Sequence, residues 1–134
     1  MSIPEANGFE GEQPKTWAIR ITDRADTEMT NARQYFERTA GEEIAEEWLL
    51  SLRREIAKLA QFPARLLVAP EDKWFQEAVH VFLYRRTPGG PTYRVFVVLK
   101  ETEMEAPTVT VIHVRHAAQK PMTRKEAKEI EASE

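Results

Sequence analysis

The stretch from Thr92 to Met122 reads TYRVFVVLKETEMEAPTVTVIHVRHAAQKPM, and it decides the fold of the chain. Two runs within it, at positions 93–100 and 109–115, are rich in the β-branched and aromatic residues that favour strands. A loop with three glutamates separates the two runs. The stretch therefore predicts two β-strands within a mainly antiparallel sheet.

Polar side chains gather at the end of the second of these strands, and one arginine lies on the first. Arg94 alternates with apolar neighbours, which places it on one face with Phe96 and Val98. Cationic and imidazole groups at strand positions suit a surface that binds phosphate or transfers protons. An ion pair between Arg94 and Glu77 is the purely structural alternative. The polar cluster consists of His113, Arg115, His116, Gln119 and Lys120.

A strand and two amphipathic helices come earlier in the chain. Residues 17–22 alternate between apolar and polar side chains, which predicts a half-buried first strand. Thr22 or Asp23 can cap the first helix, and Gly41 separates it from a second helix that ends near Phe62–Pro63. Because the link between the helices is so short, we expect an antiparallel helical hairpin.

The remaining elements complete the predicted order. An irregular connection leads to a strand at positions 78–86, and the turn Thr87–Pro91 joins that strand to the one at 93–100. The order β-α-α-β-β-β predicts an α+β fold whose mainly antiparallel sheet is covered on one face by the helical hairpin. A short C-terminal helix that begins near Met122 is predicted to be a docked or fraying tail.

The packing follows from which side chains share a face. Ile112 and Val114 are predicted to enter the core, while His113 and Arg115 lie on the opposite, exposed face. The face without the hairpin is expected to be free for function. The predicted core contacts join Ala25, Met29, Phe36, Trp48, Leu49, Leu52 and Ile56 of the helices to Val95, Val97, Ile112 and Val114 of the strands.

Composition limits the class of protein. The 134 residues predict a domain at positions 16–122, a flexible extension at 1–15 and a helical tail at 123–134. Apolar residues make up 42% and charged residues 31%, which argues against wholesale disorder. No apolar run reaches the roughly 20 residues that span a bilayer, and the first fifteen residues do not form a secretory signal. The absence of cysteine excludes disulfides and thiolate chemistry and suits the cytoplasm.

The net charge of −3 conceals an uneven distribution. Positions 22–61 carry nine acidic and six basic residues, whereas positions 77–120 carry four acidic and six basic residues. Acidic charge therefore belongs to the helices and basic charge to the strands. Either one face binds a polyanion despite the total charge, or these residues form an ordinary solvated surface.

Four features occur together in this order: a first strand led by tryptophan, a helical hairpin that ends in LAQFP, a strand that reads YRVF, and a last strand that continues into VRHAAQKP. With them, positions 17–122 resemble the RelE/ParE superfamily of bacterial toxins, the toxic halves of type II toxin–antitoxin pairs. The resemblance implies the predicted fold, inhibition of growth, and a cognate antitoxin as partner. Its members cleave mRNA on the ribosome or inhibit DNA gyrase, and both targets are expected alternatives here.

The resemblance also implies catalytic roles for individual residues. Arg94 matches the strand arginine that contacts the scissile phosphate in the mRNA-cleaving members, and Arg115 or His116 matches a residue that assists proton transfer. No metal or other cofactor is expected, because the RNA 2′-hydroxyl can act as the nucleophile with help from side chains. The three histidines also lack the spacing of a metal site. Target contacts are predicted for Arg85, Arg86, His113 and Lys120.

Two departures from the mRNA-cleaving pattern argue against nuclease activity. The second strand lacks a dense lysine cluster, and Gln119 stands where a basic residue is frequent. The alternative is a non-catalytic interaction module on a degenerate toxin fold. In the toxin interpretation, an acidic or amphipathic antitoxin segment is expected to cover Arg94 and Arg115. No oligomeric state is predicted.

Overall fold

The structure is a computed structural model that describes residues 16–61, 63 and 66–134, so the extension predicted for residues 1–15 lies outside the described residues. Short 3₁₀ turns lie at Lys58–Ala60 and Pro70–Trp74. None of the described helices is long and apolar enough to cross a membrane. In chain order the elements are β1 (Ala18–Ile21), α1 (Asp23–Ala40), α2 (Glu42–Ala57), β2 (Leu67–Val68), β3 (Val79–Tyr84), β4 (Tyr93–Lys100), β5 (Thr108–His116) and α3 (Arg124–Ala132).

The five strands form one mixed sheet in the order β1-β5-β4-β3-β2. β1 runs parallel to β5, and the other neighbours are antiparallel. The predicted α+β fold, with its first strand, helical hairpin, mostly antiparallel sheet and short C-terminal helix, is confirmed. The connection predicted to be irregular contains the two-residue edge strand β2 and the turn Pro70–Trp74.

Local signals set the limits of the helical hairpin. The Thr22 hydroxyl accepts a hydrogen bond from the backbone N–H of Ala25, at 3.1 Å, and so caps the start of α1. Gly41 has a φ of 99°, which a residue with a side chain rarely adopts, and it ends α1 directly before α2. Glu42 and Glu43 occupy the first turn of α2, where the helix dipole favours negative charge.

The hairpin and the sheet enclose the first core. Trp48 is fully buried, with its ring 5.1 Å from that of Phe36 and 5.0 Å from that of Tyr93. The Tyr84 hydroxyl donates to the backbone carbonyl of Trp48, at 3.1 Å. The predicted contacts of the helices with Val95, Val97 and Val114 are confirmed, with Leu49 partly buried at the edge of the core.

The prediction for Ile112 was wrong, because the pairing of β4 with β5 shifts register. Phe96 lies opposite His113, but the next residue, Val97, lies opposite Val111, so Ile112 is the extra residue of a β-bulge. Two consecutive residues of β5 therefore pack on the same side of the sheet. Ile112 belongs to the second face and not to the hairpin core.

The second face of the sheet is not free, which also corrects the prediction. The turn Pro70–Trp74 and helix α3 lie across it, and a second apolar core forms beneath them. The α3 tail is docked, and its N-terminus has a complete capping box between Thr123 and Glu126. The buried members of this core are Ala69, Val79, Val81, Phe96, Val98, Ile112, Met122, Ala127 and Ile130.

Candidate functional site

Strand pairing brings two of the three predicted catalytic residues together and separates the third. Arg94 on β4 lies directly opposite Arg115 on β5, and both side chains are on the second face. His116 lies opposite Tyr93, whose ring it meets edge-on at 5.1 Å on the side of the first core. The sheet itself therefore stands between His116 and the arginine pair.

Arg94 is held by a carboxylate that was not predicted. Its Nη1 and Nη2 atoms donate to Oε2 and Oε1 of Glu71, at 2.7 and 2.8 Å, in a bidentate pair. The guanidinium also stacks over the Phe96 ring, with its Cζ 4.7 Å from the ring centroid, as expected for side chains on one face. The alternative partner Glu77 pairs instead with Lys100, at 3.1 Å.

Glu71 balances the charge of both arginines. It is only 8% exposed, and burial alone raises the pKa of its carboxyl. The hydrogen bond from Arg94, a backbone hydrogen bond and the charges of Arg94 and Arg115 outweigh burial, and they hold this pKa below its ordinary value. Like charges directly opposite each other destabilise a strand pair, and the carboxylate of Glu71 offsets that repulsion.

Arg115 is buried, which corrects the prediction of an exposed position. Its Nη2 donates to the backbone carbonyl of Lys120, at 2.6 Å, and its Nη1 lies 3.5 Å from Oε2 of Glu126. Hydrogen bonding with the backbone of Thr123 is the main reason that the pKa of Glu126 is lowered, and the charge of Arg115 contributes to it. The guanidinium thus ties the start of α3 to the last strand.

His113 is likewise buried rather than exposed. Its Nε2 lies 3.3 Å from Nη1 of Arg115, and since a guanidinium can only donate, this nitrogen is the acceptor. Its Nδ1 lies 2.8 Å from Oε2 of Glu28 on α1, at ion-pair distance but without the alignment of a hydrogen bond. Glu28 also accepts the backbone N–H of Val114, at 2.9 Å, beyond the point where β1 stops pairing with β5.

The other predicted target contacts do not join this cluster. At the hairpin after β3, Arg85 donates to the hydroxyl of Thr92 and Arg86 to the carboxylate of Glu47, each at 3.1 Å. The Lys120 side chain is exposed, and only its carbonyl contacts the cluster. Within residues 16–61, 63 and 66–134, no group of three histidine, aspartate or glutamate side chains is arranged to hold a metal ion.

An exposed aliphatic surface lies beside the arginine pair. Leu83 is 67% exposed and lies opposite Arg94, on the second face. Leu67 of the edge strand is 74% exposed and pairs with Val81, so it shares that face. The neighbouring Val68 is exposed as well. We call Leu67 and Leu83 the edge patch, since Val68 pairs with His80 and lies on the opposite face of the sheet. Exposed aliphatic groups on an edge strand are typical of interaction sites.

Three acidic residues of the cluster, Glu28, Glu71 and Glu126, were not predicted from the sequence. Glu71 lies 23 residues before Arg94, and Glu28 lies 86 residues before Val114, whose backbone N–H it accepts beside its contact with His113. Only Glu126 had a readable signal, because Thr123 and Glu126 have the spacing of a capping box.

Comparison of the chain with protein-family models, with curated proteins and with solved structures finds no match.

Proposed function

We propose that this protein is the toxin of a type II toxin–antitoxin pair and that it inhibits growth by binding its target rather than by cutting RNA. The RelE/ParE resemblance and the observed order of strands and helices support the toxin class. Inhibition of gyrase is then the preferred mechanism, and a cognate antitoxin is the proposed partner.

The bidentate pair between Arg94 and Glu71 is the observation that favours target binding over RNA cleavage. RNA cleavage needs cationic groups aimed at the charge that develops on the phosphate. The guanidinium of Arg94 is neutralised by Glu71, and that of Arg115 is engaged by Glu126 and a backbone carbonyl. His116 lies on the other side of the sheet and is not placed to transfer a proton beside them.

The edge patch supplies a surface that suits binding. Leu67 and Leu83 present aliphatic side chains on one face, at the edge of a sheet whose last strand has only two residues. An edge strand also offers backbone donors and acceptors to a partner. A protein target that contributes apolar side chains would bury this patch without disturbing the ion pairs.

Matched substitutions at exposed aliphatic residues test the proposal. Leu83→Asp places a charge in the edge patch, whereas Met104→Asp places the same charge in the β4–β5 loop, where Met104 is 92% exposed. We expect induced wild type and Met104→Asp to arrest growth and Leu83→Asp to relieve the arrest. The readouts are colony counts, DNA supercoiling with purified gyrase, and mapping of RNA 5′ ends.

Each readout separates the proposal from an alternative. New RNA ends after induction of the wild type would establish mRNA cleavage and overturn the binding mechanism. Equal toxicity of Leu83→Asp and Met104→Asp, at equal protein levels, would remove the edge patch from the target interface.

The second candidate function is a non-catalytic interaction module. It is favoured by the same combination of an exposed edge patch and charge-compensated arginines. A wild-type protein that leaves growth unchanged in several hosts, yet binds a partner through Leu83, would select this function.

A further inference from the structure

A cavity of about 550 Å³ lies on the second face, at the opposite end of β4 from Arg94. Strand register builds its floor. Thr110 on β5 lies opposite Val98, which is buried in the second core, and opposite Arg20 on β1. Lys100 follows Val98 with the alternation of a strand, so it shares this face with Thr110 and Arg20. The loop between β4 and β5 borders the cavity on one side.

Acidic groups outnumber basic groups around this cavity. The basic groups are Arg20 and Lys100, and each already has an acceptor. Arg20 donates to the backbone carbonyl of Glu134, at 3.1 Å, and Lys100 pairs with Glu77, also at 3.1 Å. A surplus of negative charge remains, and it favours a cationic ligand. The acidic groups are Glu77, Glu101 and Glu105 in the lining, with Glu134 in contact with Glu77.

Two oxygen acceptors at this site have no donor among the residues that the structure describes. Oε2 of Glu134 is buried and has no hydrogen-bond partner there. Thr110 lines the cavity and is only 2% exposed, and its hydroxyl makes no hydrogen bond with another described side chain or backbone group. Buried polar groups are nearly always satisfied, so unsatisfied acceptors beside a cavity indicate a ligand that donates hydrogen bonds.

We infer that this cavity binds the ammonium group of a short aliphatic primary amine. An alkylammonium has three N–H donors, and Glu77, Glu134 and Thr110 offer acceptors to them. Leu99 and Ala106 supply apolar surface for the alkyl chain. This inference goes beyond the proposed function and does not depend on it, because the edge patch takes no part in the cavity.

A metal ion fits the same site less well than an ammonium group. Within the described part of the chain, no three histidine, aspartate or glutamate side chains are arranged to hold a metal. Divalent cations such as Ca²⁺ need about six or more oxygen ligands at short distance, whereas an ammonium group is satisfied by three acceptors. The surplus of acidic groups is therefore better matched by an organic cation.

Binding is tested by titrating the protein with n-butylamine, and with 1-butanol as an uncharged probe of the same chain length. The methyl groups of Thr108 and Thr110 report on the cavity by NMR. At about pH 8.5 a primary amine keeps its proton, since its pKa resembles the value of about 10.4 for lysine. Butylamine should produce saturable shifts of both methyl groups, and butanol should produce none. An equal response to the two probes would overturn recognition of the ammonium group.

The pH dependence tests whether the carboxyl pair is the partner of the ammonium group. The pKa of Glu134 is raised to about 7, so at about pH 5.5 the amine competes with the proton on this carboxyl. Binding should then be roughly tenfold weaker than at about pH 8.5. An affinity that is equal at both pH values would overturn this assignment. The other charged groups that face Glu134 are Glu77, Glu131, Lys100 and Arg20.

Matched substitutions locate the site. Glu77→Gln removes a carboxylate from the lining and should weaken butylamine binding at least about tenfold. Glu47→Gln removes an exposed carboxylate on α2, outside the cavity, and should leave binding unchanged. Thr110→Val keeps the shape and the β-branching of the side chain and should weaken binding by about three- to tenfold, with Thr108 as the reporter. Equal weakening by Glu77→Gln and Glu47→Gln would reduce the effect to general charge attraction and overturn the site.

Two competing ligands distinguish the source of the cation. A lysine-containing heptapeptide that shifts the methyl groups of Thr108 and Thr110, when butylamine does not, would assign the cavity to a protein partner and overturn the free amine. Displacement of butylamine by magnesium chloride, at a concentration where sodium chloride of equal ionic strength has no effect, would assign it to a metal ion and overturn the amine as well.

Discussion

The two faces of the sheet are closed by different means. The first face is covered by the two long helices, and its core is a continuous set of aliphatic and aromatic side chains around Trp48. The second face is covered by a five-residue turn and a nine-residue helix, and its core adjoins Arg94, Arg115 and His113. Apolar burial drives folding, whereas buried ion pairs specify one arrangement at little net gain. The first face thus supplies the larger apolar core, and the second combines a smaller apolar core with ion pairs.

The largest expected effect tests the first face. Trp48→Ala should lower the free energy of unfolding by about 3–5 kcal/mol, because it removes a fully buried aromatic side chain. The matched control is Trp74→Ala in the turn Pro70–Trp74, where the ring is only partly buried and Lys73 lies over it. Urea unfolding followed by circular dichroism measures both. A loss for Trp74→Ala as large as that for Trp48→Ala would break the comparison between the faces.

The next effect tests the ion pair of the second face. Glu71→Gln should cost roughly 3 kcal/mol, because it leaves Arg94 largely buried without its anion. The double variant Glu71→Leu with Arg94→Met should regain most of that loss, since it removes both charges and keeps the volume. As a control, Glu47→Gln breaks an exposed pair with Arg86 and should cost less than about 1 kcal/mol.

Equilibrium unfolding of the three variants of the ion-pair test gives the comparison directly. If Glu71→Gln were as mild as Glu47→Gln, the pair would not be what holds the turn Pro70–Trp74 on the sheet.

The elements of the fold were predictable because each has a local cause. The period of the apolar residues, the cap at Thr22 and the break at Gly41 are all properties of adjacent residues. The face of the sheet on which Ile112 lies was not predictable. A β-bulge depends on how two strands align, and the sequence of one strand alone does not reveal it.

The candidate site was only half predictable, for a related reason. Strand alternation placed Arg94 correctly on the face with Phe96. The partners of the cationic residues lie on other elements: Glu71 in a turn, Glu28 on α1 and Glu126 on α3. Such long-range pairs follow from tertiary packing, so His113 and Arg115, whose alternation suggested exposure, proved to be buried.

The smallest effect concerns the end of α3, where the carboxyl groups of Glu134 and Glu77 meet. Burial raises the pKa of Glu134 to about 7, and the charge of Glu77 and a hydrogen bond with it add to the rise. Glu131 acts in the same direction, and Lys100 acts against it. Arg20 donates to the backbone carbonyl of Glu134, at 3.1 Å. The end of α3 therefore rests against the body most firmly while Glu134 holds its proton.

The direction of the pH dependence follows from proton linkage. The pKa of the Glu134 carboxyl is higher in the folded chain than its ordinary value of 4.5, so the folded state keeps a proton that the unfolded state releases. The stabilising contribution is complete below about pH 4.5 and is lost as the pH rises through about 7. The pKa values of Glu71 and Glu126 are lowered, so their contributions to stability change only in the acidic range and not as the pH rises through about 7.

Hydrogen exchange in α3 at about pH 5.5 and about pH 8.5, corrected for the intrinsic rate, should show more frequent opening at the higher pH. Glu77→Gln removes the neighbouring charge, lowers the pKa of Glu134 and should flatten this dependence. Exchange in β4 should change far less in both proteins, because the carboxyl pair lies only at the end of α3. A pH response in α3 that survives Glu77→Gln unchanged would mean that the carboxyl pair of Glu134 and Glu77 is not its source.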